Sequence, residues 1–321
     1  RPCDGELGDV APDAATSLWV NGAPWTADAA TWKRARDVKT PTPRSICGDD
    51  IALLVLETPF QEHEAVPARP VVDEPTFLRV AAEQVIGLAG FGVTAVDADD
   101  MGTRRSRFDI AMGCVPGRPA FRCGPELDFI DYDREFTTGR GPCRGDSGGG
   151  AIAASDRSLV LGVLSRGGSM SVDPWGEDGD SDAATCALGV FERTDRWAWL
   201  IARTVLDAAT PQAPAPGWAT ALFPERARVG ELCKDSAACE EGAGCISLDG
   251  QRSWRCAKAC APDGSCAAED VCKDGYCVAA PARAPANEPG CALARGFDGG
   301  WMTLVVGGIV VALGRRRRVA T

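Results

Sequence analysis

Residues 141–150 read GPCRGDSGGG, and one serine, Ser147, lies there among five glycines. A packing role would favour larger neighbours around that hydroxyl. A serine hydroxyl is a weak nucleophile until a base removes its proton, and its reaction needs N–H donors aimed at the developing oxyanion. Glycines let the backbone approach a substrate and turn two N–H groups towards one point. The stretch therefore predicts the nucleophile loop of an acyl-transfer site.

The composition indicates a globular chain of two or three domains, since its 321 residues are 45% hydrophobic and 25% charged. The net charge of −11 argues against nucleic acid as a partner, because phosphate binding needs a basic face. The first residue is Arg1 rather than Met, and we therefore expect a fragment or a processed form. No motif indicates a cofactor or a metal.

The fifteen cysteines form three groups. Six are spread over the first two thirds of the chain, eight crowd into residues 233–277, and Cys291 stands alone. This pattern predicts an oxidised protein of the periplasm or cell surface with one special cysteine. Zinc is the alternative for the eight, but no histidine lies among them and no C-x-x-C pair occurs, so disulfides are favoured. Their connectivity stays open, since eight cysteines allow on the order of a hundred pairings.

Short apolar runs bounded by glycine and proline turns predict strands, and hence an all-β barrel or sandwich, for residues 1–208. The predicted strands span 51–57, 85–93, 108–112, 151–154, 159–165 and 188–193. One helix is predicted over 194–209, because five apolar residues recur there at helical spacing, and Thr194 or Asp195 is expected to cap it. The stripe comprises Trp197, Leu200, Ile201, Val205 and Leu206.

Proline-rich linkers divide the rest of the chain. The predicted domains are 1–208, a linker at 209–230, an eight-cysteine module at 231–280, a second linker at 281–290 and a tail at 291–321. The module has few apolar residues, so disulfides must hold it. In the tail, Trp301–Leu313 carry no charge and precede four arginines, which predicts a membrane-anchor helix with the arginines on the cytoplasmic side. A buried helix of a soluble domain is the alternative.

Several segments, taken with the serine loop, resemble the trypsin-like serine protease family over about residues 45–208. DDIALLVLE (49–57) is similar to the family's triad-aspartate strand, LAGFG (88–92) to its Gly-Trp-Gly turn, and GVLSRGG (162–168) to its Ser-Trp-Gly strand. CALGVFERTDRWAWLI (186–201) resembles the last strand and closing helix. The resemblance implies an all-β fold of two six-stranded β-barrels, the first of them incomplete here, followed by a C-terminal helix.

By position, the resemblance implies Ser147 as nucleophile, the N–H groups of Gly145 and Ser147 as the oxyanion hole, and Asp50 as the carboxylate that orients a histidine. Asp146 matches the residue that pairs with a freed N-terminus. Four small residues match the specificity pocket, namely Gly141, Ser165, Gly167 and Gly189. Such a pocket would be open and uncharged and would suit a large apolar or neutral side chain.

The resemblance also implies a disulfide between Cys143 and Cys186, which braces that pocket. Cys114 and Cys123 close the ten-residue turn CVPGRPAFRC, and Cys3–Cys47 is the pair that remains. The acidic segment 172–185 beside the cleft is expected to be a solvated loop. Attraction of basic substrate residues and calcium binding are its alternatives.

The family's triad histidine has no match. The single histidine, His63, lies 13 residues after Asp50, whereas the family's histidine precedes the aspartate. Either the chain starts after the histidine segment, which Arg1 and the retained Asp50 favour, or the protein is an inactive homologue. We therefore predict a secreted serine endopeptidase that cleaves peptide substrates, seen without its N-terminal end. The alternative is a catalytically inactive binding or adhesion protein on the same fold.

The C-terminal parts carry two further resemblances. The eight-cysteine module resembles disulfide-rich modules that follow secreted bacterial hydrolases, which implies a spacer or adhesion role. The tail resembles the myxobacterial C-terminal sorting signal, because Gly290-Cys291 is followed by an apolar segment and by Arg315–Arg318. This implies processing by a sorting peptidase near Cys291 and attachment to the cell surface through that cysteine. An ordinary membrane tail anchor is the alternative.

Overall fold

The computed structural model describes most of the chain between residues 18 and 279. The described residues are 7, 18–21, 32–42, 45–61, 63–95, 98–121, 123–124, 127, 129–168, 186, 188–247, 253–267 and 270–279. Cys3, the acidic segment 172–185, the linker 281–290 and the tail with Cys291 lie outside them. Within the described residues, no helix is long and apolar enough to span a bilayer.

The first sheet has three antiparallel strands in the order β1-β2-β3, namely β1 Trp19–Asn21, β2 Trp32–Lys39 and β3 Leu53–Leu56. The sequence did not predict β2, whose residues WKRARDVK are mostly charged. The strand forms because it pairs with β1 on one side and β3 on the other. Its long basic side chains can cover apolar surface with their stems, and Lys33 ends in an ion pair with Glu64 at 2.6 Å.

The second sheet has seven strands and closes into a barrel. Its members are β4 Arg69–Pro70, β5 Val85–Gly90, β6 Arg105–Ala111, β7 Glu135–Thr138, β8 Gly150–Ala153, β9 Leu159–Gly168 and β10 Leu188–Arg193. Six run in the antiparallel order β6-β5-β8-β9-β10-β7, and β4 pairs in parallel with β9. The ends meet where the Gly113 N–H donates to the Thr137 carbonyl at 2.8 Å and Met112 bridges Thr138. The predicted all-β class is confirmed.

Aromatic side chains fill the barrel. Phe136 and Phe191 stack with ring centroids 5.2 Å apart, and Phe77 meets Phe136 edge-on at 5.7 Å. Phe77 comes from helix α1, Glu74–Ala81, which the sequence did not predict. Asp73 caps α1 by accepting from the Thr76 N–H at 2.8 Å. With two turns only, α1 is too short for its apolar stripe to stand out as a period.

The predicted C-terminal helix is present but shorter, with α2 spanning Ala198–Ala208. The expected caps were wrong, because both side chains are engaged elsewhere. The Thr194 hydroxyl lies 2.7 Å from the Val71 carbonyl, and Asp195 accepts two bonds from Arg193 at 3.0 and 2.8 Å. A further helix, α3 at Gly217–Ala221, forms inside the predicted linker and packs on α2. Trp218 of α3 contacts the cluster of buried side chains that α2 and β3 share.

The eight-cysteine module consists of two hairpins. They are β11 Ala243–Ser247 with β12 Trp254–Lys258, and β13 Asp270–Lys273 with β14 Tyr276–Ala279. The disulfides are Cys233–Cys245, Cys239–Cys256, Cys260–Cys272 and Cys266–Cys277. In each half the first cysteine joins the third and the second joins the fourth, so the module is a tandem repeat. All eight sulfurs are consumed, which leaves no thiolate for zinc among them.

The module is docked on α2. The indole N–H of Trp199 donates to the Cys233 carbonyl at 2.9 Å, and the Trp199 and Trp254 rings lie 6.1 Å apart. The guanidinium of Arg203 also reaches the Lys234 carbonyl, at 3.4 Å. The Trp199 hydrogen bond and its ring contact with Trp254 therefore hold the first hairpin against the barrel domain.

Candidate active site

The glycine-rich loop between β7 and β8 holds Ser147 in a fixed place. Gly145 and Gly148 have φ of +97° and +85°, in the left-handed region that favours glycine. The loop is tied to β9, because Gly148 N–H donates to the Leu164 carbonyl and Leu164 N–H donates to the Gly149 carbonyl, both at 2.8 Å. Ser147 is half-buried. Its hydroxyl has no hydrogen-bond partner within the part of the chain described.

Two N–H groups beside that hydroxyl are free to act as donors. The N–H groups of Gly145 and Ser147 make no hydrogen bond to any described residue, whereas Asp146 N–H between them donates to the Cys143 carbonyl at 3.0 Å. Unpaired backbone donors next to a nucleophile are what stabilisation of an oxyanion requires. The predicted oxyanion donors are therefore not engaged by other described residues.

Asp146 anchors the loop through both of its carboxylate oxygens. Its Oδ1 accepts from the Gly92 N–H at 2.8 Å, and its Oδ2 accepts from the Cys143 N–H at 2.9 Å. A Cβ on Gly92 would lie 2.6 Å from Asp146 Oδ1, so this glycine is required by the close approach of the carboxylate. The pairing with a freed N-terminus, which the resemblance implied, involves residues outside those described.

Asp50 contacts the same strand, β9, that holds the serine loop. Its side chain is buried, and the Ser165 hydroxyl donates to Asp50 Oδ2 at 2.7 Å. Ser165 follows Leu164, the residue of β9 that pairs with the loop around Gly148. One stretch of β9 therefore contacts both Asp50 and the segment that carries Ser147. Ser165 was predicted in the specificity pocket, and its hydroxyl binds the Asp50 carboxylate.

His63 takes no part in this arrangement. It is exposed on a turn between β3 and β4. The neighbouring Glu64 is directed to Lys33. No hydrogen bond or ion pair between described residues joins His63 to Ser147 or Asp50. The sequence expectation that His63 is a solvated loop residue agrees with this position.

The three predicted pocket glycines come together. Gly167 and Gly189 face each other across β9 and β10, and Gly141 N–H donates to the Cys186 carbonyl at 3.1 Å. A Cβ on Gly167 would lie 2.5 Å from the Leu188 carbonyl oxygen, and one on Gly189 would lie 2.7 Å from Pro142. Close packing therefore requires these glycines whether or not a substrate side chain binds beside them.

Disulfides fasten the loops around this edge. Cys143 of the serine loop is bonded to Cys186, just before β10, and Cys114 is bonded to Cys123. The Cα atoms are 4.8 Å apart in each pair. Cys47 is also disulfide-bonded, and Cys3, its predicted partner, lies outside the described residues.

A buried charge network behind Asp50 was not predicted. Glu135 on β7 and Glu192 on β10 are both inaccessible to solvent. Arg166 stands where the Ser-Trp-Gly strand that 162–168 resembles has its tryptophan. Its two terminal nitrogens bind the Glu135 carboxylate at 2.6 and 2.8 Å. The Asp50 N–H donates to Glu192 Oε1 at 3.2 Å. Burial first, and then the Glu135 carboxylate beside it, raise the pKa of Glu192 well above its ordinary value.

Comparison with known proteins gives distant structural likenesses. No protein-family model and no curated protein matches the chain. The chain is similar to a solved structure of HL collagenase, with 16% sequence identity and a TM-score of 0.38 over 57% of this chain and 73% of that one. A likeness at this level assigns no function, and function is therefore argued from this chain's own residues.

Proposed function

We propose that the chain carries the domain of a serine-type endopeptidase. The observation that carries this is the joint contact of β9 with Asp50, through Ser165, and with the glycine loop that presents Ser147. The free N–H groups of Gly145 and Ser147 add the oxyanion donors. A buried carboxylate, an accessible serine and two free backbone donors are what a Ser-His-Asp site requires in addition to its histidine.

In this mechanism Ser147 Oγ attacks the scissile carbonyl carbon and forms a tetrahedral intermediate. Its oxyanion accepts hydrogen bonds from Gly145 and Ser147, and the serine proton passes to a histidine that Asp50 orients. That proton is returned to the leaving amine, and water then hydrolyses the acyl-enzyme. His63 is the only histidine among residues 1–321, and it bonds to neither Ser147 nor Asp50 in the described part of the chain, so this mechanism requires a histidine from outside these residues.

The finer parts of the proposal concern the protein's location. Secretion is supported by the disulfides, which persist in oxidising compartments. Surface attachment through Cys291, with processing by a sorting peptidase and passage through the membrane, rests on the resemblance of the tail alone. An inactive homologue that binds without cutting is the second candidate, and the exposed position of His63 is the observation that favours it.

The experiment tests reactivity of the serine with and without a base. Residues 1–321 should fail to react with a fluorophosphonate probe or to cleave casein. The chain extended by its natural upstream sequence should do both, and Ser147→Ala should abolish both. His63→Ala serves as the matched control and should leave both unchanged. An extended, folded chain that does not react would replace the peptidase by the inactive homologue.

A further inference from the structure

Glu135 and Glu192 form a carboxyl pair in the wall of the barrel. They are direct partners across β7 and β10, so their side chains lie on the same face. Neither is accessible to solvent. Two carboxylates this close and this dry cannot both be ionised without a compensating charge for each.

The charges around the pair do not provide that compensation. Arg166 from β9 faces both carboxyls and is paired to Glu135. The next cation, Arg134, is engaged by Asp49 at 3.3 Å and by Asp131 at 3.4 Å. On the remaining sides the pair meets Asp50 and the neutral indole of Trp197. Among the described residues, one guanidinium therefore faces two carboxyls.

The hydrogen bonds decide which carboxyl keeps the proton. Glu135 accepts both Arg166 nitrogens, and also the Gly48 N–H at 2.9 Å and the Asp131 N–H at 2.7 Å. Four short donors stabilise an ionised carboxylate. Among the described residues, Glu192 accepts two longer bonds, from the Asp50 N–H at 3.2 Å and from the Trp197 indole N–H at 3.4 Å. Fewer and longer donors favour the neutral, protonated form of a buried carboxyl.

We propose that Glu192 is a protonated carboxylic acid at neutral pH that positions Asp50. It holds the Asp50 main chain through the hydrogen bond from Asp50 N–H. From the other side, Arg166 donates to Ser165 Oγ at 3.2 Å, and Ser165 donates to the Asp50 carboxylate. Glu192 thus holds the backbone of Asp50, and Ser165, which Arg166 polarises, holds its carboxylate.

The protonation part of the proposal needs no enzymatic activity to test. Infrared difference spectra at neutral pH between the parent and Glu192→Gln should show a protonated carboxylic acid band that only the parent has. Glu135→Gln should remove carboxylate absorption instead. Glu57→Gln, at an exposed position, is the control and should leave the acid band unchanged. An acid band that survives Glu192→Gln would overturn the proposal.

The pH dependence of stability provides a second readout. A proton held more tightly when folded makes the parent lose stability as pH rises between the unfolded and the folded pKa of Glu192. Glutamine cannot titrate, so the ratio of folding constants of Glu192→Gln to parent should grow about tenfold per pH unit across that window. If Glu192→Gln does not fold, the parent itself keeps the test open, with exposed Glu57→Gln as its control. Both should lose stability as pH rises through that window, and a stability that does not fall there would refute the protonated Glu192.

The positioning part rests on the proposed function and uses the upstream-extended chain. Glu192→Ala should lower kcat at least tenfold with KM little changed, and Glu192→Gln should restore most of it, because the amide still accepts the Asp50 N–H. Equal losses in both variants would refute positioning. An extended parent without activity would refute the proposed function while the infrared result still decides where the proton lies.

Discussion

Replacing Ser165 by alanine removes the hydroxyl that links Asp50 to Arg166. The lost contacts are the 2.7 Å bond to Asp50 Oδ2 and the 3.2 Å bond from Arg166. Ser165 and Asp50 are 7% and 8% exposed, so water replaces these bonds poorly. A hydrogen bond to a charged group contributes about 1.5–3 kcal/mol, and we expect Ser165→Ala to lower the free energy of unfolding by about 2 kcal/mol.

Thermal unfolding followed by tryptophan fluorescence measures this change. A loss of about 2 kcal/mol should lower Tm by about 4–8 °C in a domain of this size. Ser158→Ala is the matched control, since its hydroxyl donates to Asp156 at 2.6 Å in an exposed loop, and it should cost less than about 0.5 kcal/mol. Equal shifts in the two variants would refute the idea that Ser165 stabilises a buried Asp50 carboxylate.

Three further outcomes are expected. Arg166→Met should lower the free energy of unfolding by about 3–5 kcal/mol, because it leaves buried carboxyls without their cation, whereas Arg107→Met on the exposed face should change it by less than about 0.5 kcal/mol in urea titrations. Trp199→Phe keeps a ring but loses the N–H bond to Cys233 and should make the cysteine module more susceptible to limited proteolysis, and unchanged cleavage would contradict docking. Cys291→Ala should abolish processing and surface retention in cells, and mass spectrometry that finds an unmodified Cys291 in the mature protein would leave a plain membrane anchor.

The serine loop and most barrel strands could be predicted because their signals are local. Gly145 and Gly148 adopt positive φ within the loop itself, so the residue type reveals the backbone. The run LGVFER begins with apolar and β-branched residues, and it coincides with β10. The expectation that Asp50 and Ser147 share one site came from the family resemblance, since no spacing rule links residues so far apart in sequence.

Elements without a strong local period were missed. Helix α1 has two turns, and β2 is mostly charged, so each exists because its neighbours supply the partners. The disulfide connectivity belongs to the same class. Cys245 and Cys256 are register partners in their hairpin, yet they bond to Cys233 and Cys239 respectively. The disulfide pairing therefore depends on how the segment with Cys233 and Cys239 packs on the hairpin, which the sequence does not reveal.

The charges behind Asp50 depend entirely on tertiary structure. In sequence, Glu135, Arg166 and Glu192 lie on separate strands and have the character of solvent-facing residues. Barrel closure places all three behind Asp50 and removes the two glutamates from water. Residue type sets where a carboxyl ionises in water, but its state in the folded chain depends on burial and on the nearest charge, and both exist only once the strands have come together.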